Sequence, residues 1–120
     1  MLKKILVGIS CLVAALVSLT ASGEDAVTAD PKHYKVAFEN DKVRIIRVHY
    51  GPGEKSVMHT HAPNVAIFLS DINARMHLPD GTSTDIAASK GETQWAENEE
   101  HMPENIGDEP FDVILVEVKD

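Results

Sequence analysis

The sequence predicts an all-β domain, a small sandwich or barrel. Short runs rich in Val, Ile and aromatic residues recur along the chain, and Gly, Pro and Asp turn signals interrupt them about every ten residues. Beyond the first 23 residues no stretch keeps the 3.6-residue period of an amphipathic helix. Strands punctuated at that spacing pack into two-layer β architectures.

The N-terminal 23 residues read as a signal peptide. Lys3 and Lys4 form a basic start, residues 5–19 an apolar middle, and Thr20-Ala21-Ser22-Gly23 a small-residue exit before the first acid, Glu24. The uncharged run from Ile5 to Gly23 approaches the roughly 20 residues that span a bilayer. Ser10, Ser18, Thr20 and Ser22 interrupt it, however, and no basic flank follows, so cleavage after Gly23 or Ala21 is the expectation. Cys11, after Gly8-Ile9-Ser10, lies too early for a lipidated cysteine. The expected location is the periplasm or the exterior, with no membrane association after cleavage.

Residues 24–33 are polar and read as a flexible leader. Val43-Arg44-Ile45-Ile46-Arg47-Val48-His49-Tyr50 is a strand stopped by Gly51-Pro52-Gly53. Val65-Ala66-Ile67-Phe68-Leu69 has the pattern of a strand buried on both faces. Ala74-Arg75-Met76-His77-Leu78 alternates, turns at Pro79-Asp80-Gly81 and returns over residues 82–87. Lys90-Gly91 makes another turn, and Val113-Ile114-Leu115-Val116-Glu117-Val118 is the last strand.

Composition bounds the function. The chain has 120 residues, enough for one domain, and a formal net charge of −8, which falls to −10 once Lys3 and Lys4 are removed. Such a chain repels nucleic-acid phosphates, so no nucleic-acid partner is expected. Only six residues are Phe, Trp or Tyr, which leaves the core to aliphatics. The single cysteine excludes an internal disulfide and a Cys-based zinc finger, and its removal suits an oxidising compartment.

The chemical signal is His59-Thr60-His61. On a strand, residues i and i+2 share a face, with a rise of roughly 3.3 Å per residue, so both imidazoles can converge on one ion. On a helix the same spacing would splay them about 200° apart. Of the other histidines, His77 and His49 alternate with Arg75 and Arg47 and are expected outside, and His33 is expected to be exposed.

The pair stands in a wider pattern. Gly53 precedes His59 by five intervening residues, and Gly91, Trp95, His101 and Asn105 follow, with the exit Asn105-Ile106-Gly107-Asp108-Glu109-Pro110. This resembles the two motifs of the cupin superfamily, in particular its small single-domain, RmlC-like members, over nearly all of residues 34–119. The resemblance implies a single-domain cupin jelly roll, a double-stranded β-helix barrel. It also implies a third ligand at His101, Trp95 as a core anchor, and a homodimer through sheet edges. Two departures stand out. The motif glutamate would fall at Val65 or Ala66, neither of which can bind a metal, and Glu97 and Glu99 replace the Pro and Gly of the second motif's turn.

The expected site is therefore His59, His61 and His101 around one divalent transition metal. Imidazole suits Zn, Fe, Ni or Cu, with Mn also open, whereas Ca and Mg prefer oxygen. Gln94, Asn64 and Asn105 are candidates for a fourth ligand or a supporting contact, and Glu97 and Glu99 are candidate acids at the lip. Three function classes compete. They are a metal-dependent binder of a small polar or anionic molecule, a metalloenzyme (dioxygenase, isomerase or hydrolase), and a metal-free structural or interaction module. Fold alone does not choose among them.

Overall fold

A computed structural model describes residues 23–120. The expected signal segment, apart from Gly23, lies outside the described residues. Ten strands and one helical turn follow in order: β1 (Glu24–Asp25), α1 (Ala26–Ala29), β2 (Tyr34–Glu39), β3 (Val43–Tyr50), β4 (His59–His61), β5 (Asn64–Phe68), β6 (Ile72–His77), β7 (Ser83–Ala88), β8 (Thr93–Ala96), β9 (Glu99–Asn105) and β10 (Phe111–Val118). Among the described residues no helix is long and apolar enough to cross a membrane.

The strands form two five-stranded sheets, ordered β1-β4-β9-β6-β7 and β2-β3-β10-β5-β8. Apart from the parallel β1–β4 pair, neighbours are antiparallel. β10 is the spine of the second sheet, with all eight of its residues registered against β3 from Phe111↔Tyr50 to Val118↔Val43. Inward positions alternate along it: Phe111, Val113, Leu115 and Glu117 are buried. With Ile46, Val48 and Tyr50 of β3, Phe68 of β5, and Ile72 and Ala74 of β6, they fill the space between the sheets. Gly53 (φ 74°) and Gly91 (φ 90°) close turns in the left-handed region, where a side chain would be strained.

Four expectations are corrected. The leader is not loose. Glu24 and Asp25 pair with His59 and Thr60, Ala26 is fully buried, and Asp25 joins Arg44 in an ion pair. His33 is buried rather than exposed, because Asp30 engages its Nδ1 at 2.6 Å and its ring stacks on Tyr50. Trp95 is 51% exposed and is no core anchor: it pairs with Val65 at the outward parity of the edge strand β8, and its Nε1 donates to Glu97. Parity also revises the β5 run, in which Asn64 and Phe68 are buried, Val65 and Ile67 only partly, and Leu69 is exposed.

Candidate metal centre

The β4–β9 register sets His59 opposite His101 and His61 opposite Glu99. Strand parity turns both β4 histidines inward, and all three imidazoles are buried. The Nε2 atoms of His59 and His61 lie 3.1 Å apart, and one ring nitrogen from each histidine lies within 4.8 Å of the others. Two nitrogens each about 2 Å from one ion are about 3 Å apart, so the pair already has ligand spacing.

Hydrogen bonding sets the lone pairs. His59 Nδ1 lies 2.8 Å from the Val57 carbonyl, which can only accept, so Nδ1 carries the proton and Nε2 is free to ligate. His101 Nε2 is buried with no hydrogen-bond partner among the described residues. A buried orphan nitrogen costs free energy that a bound cation recovers. Burial first, then His61, lowers the pKa of His59 to about 4. Burial, then His61 and His59, lowers that of His101 to about 3. Both are neutral at pH 7, which is the ligating form. The donor set fits a divalent transition ion.

Residues outside the motifs support the cluster. Asp30 Oδ2 accepts from Ser56 Oγ at 2.5 Å, and that hydroxyl lies 3.3 Å from His59 Nδ1. The Tyr34 ring meets His59 edge-on at 4.8 Å between centroids, while its hydroxyl bonds Tyr50 Oη at 2.7 Å. Glu117, buried on β10, brings Oε2 to 3.6 Å from His61 Nδ1, and neither atom has a hydrogen-bond partner among the described residues. Its other oxygen accepts from Arg44. The distance is too long for a hydrogen bond, yet it aims a carboxylate at the ring nitrogen opposite the ligating one, the arrangement that fixes a metal-binding tautomer. An acid at an inward position of a strand otherwise filled by Phe111, Val113 and Leu115 was the signal for it in the sequence.

His61 and His101 open onto a cavity of about 170 Å³ between the sheets. Asn64, Gln94 and Glu99 lie on its wall, and Asn64 Nδ2 donates to the Ala62 carbonyl at 2.9 Å. Glu99 approaches His101 Nδ1 at 3.8 Å. Glu97 points away, onto Trp95. Asn105 lies off the wall, its amide spent on the Tyr50, Gly51 and Glu109 carbonyls and the Gly107 N–H, so it ties a turn. His59, His61 and His101 would hold such an ion as three neutral imidazoles, leaving its dipositive charge, and it would supply Lewis acidity to a water or ligand oxygen. Around it, the chain's own groups wall off the histidines, with Glu99 the carboxylate on the cavity wall beside His101.

No family model and no curated protein matches the chain. Solved structures do. A cupin domain from Bordetella pertussis is 20% identical, with a TM-score of 0.68 over 83% of this chain and 99% of that one. An RmlC-like cupin family protein with a double-stranded β-helix fold, from Methanocaldococcus jannaschii, is 15% identical, with a TM-score of 0.57 over 72% and 78%. A conserved protein with a double-stranded β-helix domain, from Klebsiella pneumoniae, is 24% identical, with a TM-score of 0.54 over 69% and 72%. The likeness is one of fold: the chain has the double-stranded β-helix fold of these small cupin structures.

Proposed function

We propose that the protein is an exported cupin that holds one divalent transition metal through His59, His61 and His101 and uses the ion to bind a small polar or anionic molecule. The observation that carries this reading is the buried histidine trio with its unpartnered His101 Nε2 at the cavity wall. Three neutral ligands leave the ion's charge uncompensated, which favours an anionic fourth ligand. Export is supported by the basic, apolar and small-residue order of the N-terminal 23 residues. N-terminal sequencing of the protein recovered from an exporting bacterium tests it: a mature start at Ser22 or Glu24 agrees, and an intact Met1 in a cytoplasmic fraction opposes it.

A homodimer is part of the proposal. Register aligns Phe38, Ile45, Val116, Val65 and Trp95 in one row across the outward face of β2-β3-β10-β5-β8. Lys35 and Arg47 flank the row at the β2 side, and Glu92 and Glu97 flank it at the β8 side. A two-fold axis along β10 would set the basic flank of one copy against the acidic flank of the other. Light scattering should give twice the monomer mass, falling to the monomer mass for Val116→Asp; a monomeric parent would remove this part.

A further inference from the structure

Resting on the metal-centre reading, we infer that the ligand is a small monoanion with an apolar body, of the size of benzoate or a short-chain fatty acid. The imidazoles and the Asn64 amide gather at one end of the cavity, and the Tyr34 and Tyr50 hydroxyls on its wall are spent on each other at 2.7 Å. Along β5 the inward positions run Asn64, Ala66, Phe68, passing from amide to ring within about 13 Å at 3.3 Å per residue. The same change crosses the other sheet: His61 and His101 stand on β4 and β9, while Ile72 and Met76 on β6 and Ile86 on β7 line the cavity further along the strand order. Val113 completes the apolar end.

No Lys or Arg lines the cavity among the described residues. Glu99 on the wall and Glu117 behind His61 are acids, so without an ion an anion would be repelled. The negative charge of a ligand therefore has one place to go, the histidine cluster. Ala66 presents only a methyl group to the cavity, which leaves room for a carboxylate from outside the chain. At the other end a second charge would be buried without a partner, which rules against dianions. The volume of about 170 Å³ is close to the roughly 150 Å³ of a dry apolar cavity that accepts benzene.

The test is calorimetric titration of the cobalt-loaded protein, its cobalt content measured first, with acetate, propionate, butyrate, benzoate and succinate. Affinity should rise about fourfold per added methylene from acetate to butyrate. Benzoate should bind at least tenfold tighter than acetate, and succinate more weakly than butyrate. Met76→Gln, which keeps the length of the side chain, should shrink the benzoate-to-acetate ratio at unchanged cobalt content. A loaded protein with a flat series, with succinate tightest, or with no monoanion bound overturns the inference while the metal reading stands. A protein that takes no cobalt removes the metal reading, and a rising series in that metal-free protein overturns the assignment of the carboxylate to an ion at the histidine cluster.

Discussion

The sheet β2-β3-β10-β5-β8 is built on the two eight-residue strands β3 and β10 with mostly apolar inward residues, whereas β1-β4-β9-β6-β7 buries three imidazoles on β9 and on the three-residue β4, which is edged by a two-residue strand. Buried imidazoles without an ion are costly, since water is lost and only some nitrogens find partners. Residues such as Ile46 and Leu115 on the aliphatic sheet supply apolar burial that offsets that cost. One sheet supplies most of the apolar burial, and the other holds a donor set with unpartnered nitrogens among the described residues. Glu117 is where the two meet, a carboxylate from the aliphatic sheet placed behind His61 of the polar one.

The largest effect should come from breaking the aliphatic sheet. Ile46 is fully buried, so Ile46→Ala should cost about 2–5 kcal/mol in denaturant unfolding. A loss under 1 kcal/mol would mean the sheet is not the source of stability. The polar sheet should instead show itself through pH. The folded pKa values of His59 and His101 lie below the ordinary 6.5, so below that pH the unfolded chain binds the extra protons. Stability of the metal-free protein should therefore be full above pH 6.5 and fall as pH drops, by up to about 1.4 kcal/mol per unit for each group. The fall should level off near pH 4 for His59 and pH 3 for His101. A flat profile between pH 7 and 4 would show that the imidazoles are not buried neutral.

Smaller effects separate the junction from the outer surface. Glu117→Gln should weaken metal affinity about 10–100-fold in a competition titration with a chelating dye, through the lost orientation of His61. An unchanged affinity would reduce Glu117 to a partner of Arg44. Trp95→Ala should change monomer stability by no more than about 0.5 kcal/mol, as befits an outward residue on an edge strand. A loss of several kcal/mol would return Trp95 to the core.

Much of this division was legible in the sequence. The residues 43–50 form β3 as expected, and the i, i+2 parity of His59 and His61 turned both toward one point. His101 was found by motif spacing. Trp95 was misplaced because an aromatic at a motif position suggests burial, while parity against Val65 on an edge strand sends it outward. The leader was missed because its partner strand, β4, is remote in sequence and the Asp30–Ser56 and His33–Tyr50 contacts are non-local. Glu117 needed the pairing Glu117↔Asn64 before its inward direction toward His61 became plain.

The most direct test is metal stoichiometry by elemental analysis of protein prepared without affinity tags or chelators, set beside His59→Ala/His61→Ala and His101→Ala. The parent should carry about one divalent transition ion per chain, the double variant none, and His101→Ala a weakly held fraction lost on dialysis. A metal-free parent that takes up no added zinc, cobalt, nickel or iron, with thermal stability unmoved by the ions or by the double substitution, would contradict the metal centre.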